Sequence, residues 1–198
     1  MKITAIKQQV RRQDRYSIYI DSKYMFSFSQ SELMNSGLKV GRELTQQELD
    51  ELQDTATVDK AYDRALNLIS HRPRSEGEIR EYLRRKDLTG HDITTVVNRL
   101  TERGYLDDAD FARRWVATRR LLKSTSKRRL MQELRQKRVS SDIISQALED
   151  DETDERGVLR ELIARKRKQT KYQDNLKLMQ YLSRQGYNYD DIKTVINE

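Results

Sequence analysis

The stretch Gly104 to Arg119, G-Y-L-D-D-A-D-F-A-R-R-W-V-A-T-R, holds the end of one helix and the start of another, and it sets the architecture of the chain. Gly104 follows the apolar series Ile93, Val96, Val97 and Leu100, where a helix needs a residue that tolerates positive φ beyond its last turn. Tyr105 and Leu106 supply apolar contacts at that stop. Asp107, Asp108 and Asp110 then offer N-cap and first-turn carboxylates to a new helix, whose apolar stripe is expected to be Phe111, Trp115, Val116 and Leu122. Two helical units meet at this joint.

Working outward, the same order of elements recurs. Leu83, Leu134 and Leu182 close three basic helices, E-Y-L-R-R-K, Q-E-L-R-Q-K and Q-Y-L-S-R-Q. Ile93, Ile143 and Ile192 each follow an Asp and open a third helix in each copy. The period is close to fifty residues, so each copy is a three-helix unit with an apolar face for its neighbour to cover. Thr45 with Glu48 and Ser75 with Glu78 read as capping boxes, with Pro73 stopping the helix between them and an interruption expected near Thr55 to Thr57. Gly90 is expected to break the second of these helices, and Asp92 to cap the next. Arg15 to Asp21 and Tyr24 to Ser29 read as strands around a turn at Asp21, Ser22 and Lys23.

The fold expected is mainly α: tandem three-helix repeats in an elongated curved array, with a small N-terminal β element. Its parts are a β-hairpin or sheet element over 1–44, a connecting helix and first repeat over 45–108, a second repeat over 109–153 and a third over 154–198.

Composition narrows the function. In 198 residues, 36% are charged and 35% hydrophobic, so apolar stripes must be narrow and the surface highly charged. There is no Cys, which excludes disulfides, thiolate metal sites and thiol catalysis. No phosphate-cradling glycine loop occurs, and His71 and His91 lack a second ligand at metal spacing. Asp107 and Asp108 are explained as caps, so no catalytic residue, metal or cofactor is expected. No apolar run approaches ~20 residues and no signal-peptide pattern opens the chain, so no membrane contact and a cytoplasmic location are expected.

The net charge of +7 is unevenly spread. Between Arg113 and Arg138 lie eleven Lys or Arg and one acid, Glu133. These cations, Arg113, Arg114, Arg119, Arg120, Lys123, Lys127, Arg128, Arg129, Arg135, Lys137 and Arg138, cannot be neutralised by pairs along their own helices and point to a polyanionic or acidic partner. Glu149 to Glu155, E-D-D-E-T-D-E, reads as a solvated connection, or else as a decoy for a basic surface. Phe111 and Trp115 sit at core spacing; Tyr16, Tyr19, Tyr24 and Phe28 could stack bases but are read as covering the first helix.

R-P-R-S-E at Arg72 to Glu76, G-Y-L-D-D at Gly104 to Asp108 and F-A-R-R-W-V-A-T-R at Phe111 to Arg119 together resemble the RecX regulatory proteins of bacteria. The resemblance implies a curved array of three-helix repeats. It also implies a monomeric modulator that binds in the groove of the RecA nucleoprotein filament, limits its growth and lowers its ATPase and strand exchange. On the charge distribution, the contact surface expected for RecA, and for single- or double-stranded DNA, runs from Arg72, Arg74, Arg84 and Arg85 through the basic middle repeat to Lys166 and Arg167. Arg138 stands where the family commonly has Gly, and Ser124 to Ser126 replaces a usual Gly. A direct DNA-binding protein with helix-turn-helix-like repeats is the alternative.

Overall fold

The computed structural model describes residues 1–198 and divides into two compact units, Met1–Arg74 with Ile79–Leu106, and Ser75–Glu78 with Asp107–Glu198. Its order is β1 (Ile3–Gln8), β2 (Arg15–Ile20), β3 (Lys23–Ser29), α1 (Gln30–Ser36), α2 (Gln46–His71), α3 (Glu76–Arg84), α4 (Gly90–Glu102), α5 (Asp108–Leu122), α6 (Lys127–Gln136), α7 (Ser141–Glu149), α8 (Glu155–Arg167), α9 (Asn175–Arg184) and α10 (Tyr189–Asn197). A single 3-10 turn, Thr170–Tyr172, separates α8 from α9.

In the first unit the three strands form an antiparallel sheet in the order β1-β2-β3. Asp21 and Ser22 both take positive φ, the conformation that matches a two-residue hairpin to the twist of its strands. Ile3, Ile18 and Phe28 are buried against Leu49 and Ala56 of α2, so the sheet gains from the helix the stability three short strands lack. Arg15 is buried between Asp59, at 3.1 Å, and Asp63, and it also donates to the Ser27 carbonyl at 2.9 Å. Asp59 in turn accepts from the Ser29 amide and hydroxyl at 2.8 and 2.7 Å. Tyr24 is exposed, while Phe28 lies in this core.

Helix α2 begins with the Thr45–Glu48 capping box and runs unbroken to His71. The expected interruption is absent because Thr55 and Thr57 return their hydroxyls to the Glu51 and Gln53 carbonyls, while Ala56 packs inward. Its second half carries Ala61, Tyr62 and Ala65 into a core with Ile79, Leu83, Ile93, Val96, Val97, Leu100 and Leu106. Gly90 opens α4 instead of breaking the preceding helix. Thr89 is the N-cap, and Asp92 is its capping-box partner three residues on.

The second unit repeats the three-helix plan twice. Phe111, Ala112, Val116, Leu130, Leu134 and Ile144 form one core, and Leu159, Leu162, Leu178, Leu182 and Ile192 the other. At the joint, Gly104 has φ +72°, Leu106 is buried, and the Asp107 side chain accepts from the Asp110 amide. Leu122, expected on the buried stripe, is 69% exposed, because the stripe of α5 ends at Val116.

Register across the repeats is uniform. From Leu83 to Leu134 is 51 residues and from Leu134 to Leu182 is 48, and the starts of α3, α6 and α9 and of α4, α7 and α10 keep the same offsets. The buried isoleucine in the second repeat is therefore Ile144, not Ile143, which is half-buried. The same offsets join Asp87, Arg138 and Gly186, all at positive φ four residues after those leucines. Val139 and Tyr187 then bond their amides to the Leu134 and Leu182 carbonyls at 3.2 and 3.3 Å, closing a left-handed helix stop.

One kind of contact recurs within the second unit. Ser75 Oγ donates to the Lys137 carbonyl, and Ser126 Oγ to the Gln185 carbonyl at 2.7 Å. Asp108 accepts the Glu76 amide at 2.7 Å, and Glu155 accepts the Lys127 amide at 2.8 Å. A Cβ placed on Gly77 would run into Cβ of Arg138. Gly77→Ala should therefore cost about 1–3 kcal/mol in chemical denaturation. Arg138→Gly, which removes that Cβ and a left-handed strain of about 1 kcal/mol, should make the double variant less unstable than the sum of the singles.

Candidate polyanion-binding surface

The cations singled out in the sequence fall into two groups once placed. Some hold the fold together. Arg120 on α5 is only 8% exposed; it reaches Asp151 at 2.7 Å, Glu155 at 2.9 Å and the Thr125 carbonyl at 2.6 Å. Burial alone would raise the Asp151 carboxyl, but hydrogen bonds from Thr153 and Arg120 outweigh it and hold it below the usual carboxylate range. Burial alone would likewise lower Arg120, and its two carboxylate partners more than reverse this. The acidic connection is thus not simply solvated: Asp151 and Glu155 enclose Arg120, and Asp154 caps α8. Beside this cluster, burial pushes the Tyr187 hydroxyl well up, so it remains a proton donor to the Ser124 carbonyl at 3.1 Å.

Lys137 is similarly engaged, 3.0 Å from Glu78 and over the ring of Trp115. Trp115 stacks on Phe111 and donates its indole N–H to Glu133 at 3.0 Å, and Arg119 lies between that ring and Glu133 at 2.8 Å. In the third repeat, Lys166 sits over Tyr172 and Tyr181, while Arg167 ties down the Tyr172 and Gln173 carbonyls and Asn175. In the first unit, Arg72 is half-buried at the end of α2 and donates to the Pro73 carbonyl at 2.8 Å; Arg74 is half-buried with its Nε lacking a hydrogen-bond partner. Arg84 pairs with Glu81 at 2.8 Å, and Arg85 is exposed.

The other group faces solvent. Lys123, Lys127, Arg128 and Arg135 are exposed and carry no ion pair. Arg113 and Arg114 share Asp110, at 3.8 and 2.7 Å, and Arg114 remains 71% exposed there. Helix α6 buries Leu130 and Leu134 and turns Arg128, Gln132 and Arg135 outward at helical spacing. The register explains why this repeat is the cationic one. At the position of Gln132 the first repeat has Glu81, which neutralises Arg84; at the position of Arg135 the third repeat has Ser183. An open cleft of about 540 Å³ adjoins this face, lined by Lys127, Arg128, Glu155, Tyr187, Tyr189 and Asp191 among others. Tyr189, which the sequence reading passed over, is exposed there. No cluster of His, Asp or Glu that could hold a metal ion is present, and no helix is long and apolar enough to cross a membrane.

The fold and surface define a class: a tandem three-helix-repeat protein whose middle repeat carries uncompensated positive charge. Three family models match it: the RecX N-terminal domain over residues 1–45, and the first and second RecX three-helix domains over 61–100 and 107–148. Regulatory protein RecX of Listeria monocytogenes serotype 4a is 34% identical over 205 residues, covering all of this chain and 76% of that protein. The Bacillus subtilis protein of the same name is 31% identical over 99% of this chain and 76% of its own length. For serotype 4b of L. monocytogenes the match is 37% identical but spans 76% of this chain and 56% of the relative. A crystal structure of regulatory protein RecX superposes with TM-score 0.77 at 26% identity over 100% of this chain and 99% of that one. RecX from Lactobacillus salivarius gives 0.60 at 26% identity over 71% and 95%. The chain belongs to the RecX regulatory protein family.

Two consequences follow from the division of cations. Arg120→Ala should cost about 3 kcal/mol, since it strands the buried Asp151 carboxylate and the half-buried Glu155, whereas Arg128→Ala should stay within about 0.5 kcal/mol. Asp151 is held low in the folded state, so its contribution is present above the unfolded carboxylate pKa of ~3.9 and is lost as pH falls through the lower folded value. The difference in melting temperature between Asp151→Asn and the parent chain should therefore narrow as pH is taken below about 4.

Proposed function

We propose that the chain is a non-enzymatic negative regulator of RecA recombinase, which binds the RecA–DNA filament and inhibits its growth, ATPase and strand exchange in recombination, DNA repair and the SOS response. Membership of the RecX family supports the regulatory role. The observation that carries the reading is the solvent-facing set Lys123, Lys127, Arg128 and Arg135, which no acid of the fold compensates. Arg113 and Arg114 extend it along α5, and Arg84 and Arg85 supply exposed cations in the first unit. Arg120, Lys137, Lys166 and Arg167 are assigned to the fold, because each is already occupied by partners within it.

A second reading is direct DNA binding. It is favoured by the cleft in which exposed Tyr189 accompanies Lys127 and Arg128, because an aromatic ring beside cations can stack a base while phosphates are neutralised. The two readings separate in one experiment. Lys127→Glu, Arg128→Glu and Arg135→Glu combined should raise the concentration needed to inhibit RecA-catalysed ATP hydrolysis on single-stranded DNA by at least ~10-fold, with the inhibition of the parent chain weakening as salt rises. On the second reading, binding to DNA without RecA is tight, and each lost phosphate contact lowers its salt slope by ~0.7 on single strands. Unchanged inhibition by the triple variant refutes the surface assignment.

A further inference from the structure

Helix α5 has two organised faces, and the basic surface accounts for only part of the outer one. Its inner face buries Phe111, Ala112 and Val116. On the other side Arg114, Ala117, Thr118, Leu121 and Leu122 are all exposed, at positions i, i+3, i+4, i+7 and i+8, which align them as one stripe. Leu121 is 85% exposed and Leu122 69%, and among the exposed large apolar side chains they alone are adjacent in sequence. Single exposed leucines need no explanation, but a pair closing a helical stripe of small side chains has the form of a helix-docking face. Ala117 and Thr118 permit the close approach of a second helix, and the two leucines supply the anchor.

Charge selects the occupant. Arg113 and Arg114, which share the single carboxylate of Asp110, stand at one end of the stripe and unpaired Lys123 at the other, and no acid occurs between Arg113 and Arg129. We infer that this stripe is a protein-docking face that takes an acidic amphipathic helix, and that RecA presents that helix. The inference rests on the RecA reading and divides its surface: α6 meets phosphate or acidic groups through charge, while α5 seats a protein helix by apolar contact. Phosphate recognition has no use for the leucine pair, since backbone contacts to nucleic acid come from cations and hydrogen-bond donors. Two leucines beside Ala and Thr also form too small an apolar face for stable binding to a lipid surface.

The test compares the full chain with Leu121→Ser/Leu122→Ser and, separately, with Ala117→Arg. Each is measured for RecA ATPase inhibition, for affinity to single-stranded DNA alone, and for binding to a synthetic acidic helix bearing leucines at i, i+4 spacing. The leucine variant should lose at least ~10-fold in inhibition and in peptide binding, with DNA affinity within ~2-fold and the same melting temperature. Ala117→Arg gives a second, independent sign. It should obstruct the docking of a helix and so weaken inhibition, while its added charge leaves DNA binding equal or tighter. Unchanged inhibition in both variants overturns the assignment of RecA as occupant, and peptide binding that ignores both substitutions overturns the docking face itself. A parent chain that neither binds nor inhibits RecA would fail the RecA reading, while the peptide measurement still decides the face. Leucine-dependent binding to anionic vesicles without peptide binding would identify a lipid surface instead and overturn the proposal.

Discussion

A helix N-terminus leaves amide groups without partners, and a left-handed helix stop leaves carbonyls turned outward; a contact made twice within the second unit satisfies both at once. Ser75 and Ser126 cap their own helices and donate onward to the carbonyls of Lys137 and Gln185, each next to a left-handed residue. Asp108 and Glu155 take up the first helical amides from the other side. The constraint runs through a hydroxyl because only a group that both donates and accepts can serve a helix start and a neighbouring carbonyl together. In the third repeat the corresponding residue is Asp174, which caps α9 by accepting the Lys177 amide. The contact is made at two positions of the chain, Ser75 and Ser126.

The same constraint explains the buried charges. Glu155 must lie against the start of α6 to accept the Lys127 amide, and a carboxylate in that half-buried position needs a cation. Arg120 supplies it and also secures Asp151 and the Thr125 carbonyl, so three chain segments are fixed by one guanidinium. Arginine suits the position because its planar fork serves several acceptors and does not lose its charge on burial. Positive charge in the middle of the chain is thus not one feature. Part of it is consumed by packing, and what faces water is what packing did not require.

Much of the architecture was legible because it is periodic. Capping residues, the leucines that close each middle helix and the Gly104 stop all act over a few residues, which is the range a sequence displays. The Arg15–Asp59–Asp63 cluster was not legible, because Arg15 lies more than forty residues from both acids and nothing local marks an arginine as buried. The one-residue displacement to Ile144 was hidden for a related reason: Ile143 and Ile144 are equally apolar, and only the helix start at Ser141 settles which turns inward. For the candidate surface, sequence located the cluster of cations but could not sort it. Arg120 and Arg128 are the same residue type eight positions apart, and an acidic segment beyond α7 decides that one is structural and the other is not.

Arg138 shows how a repeat tolerates such specialisation. A left-handed position favours glycine, as at Gly186, yet Asp87 and Arg138 occupy it in the other two units. The strain is small beside the core that surrounds it, and Gly77 opposite has no side chain to obstruct the arginine. Backbone geometry is therefore held by the buried leucines and the junction hydroxyls, which leaves outward positions open to change without loss of fold. Glu81 against Gln132, and Ser183 against Arg135, are changes of this kind. A scaffold whose repeats are nearly equivalent inside and unequal outside can confine a charged surface to one unit, and in this chain that unit is the one built on α5, α6 and α7.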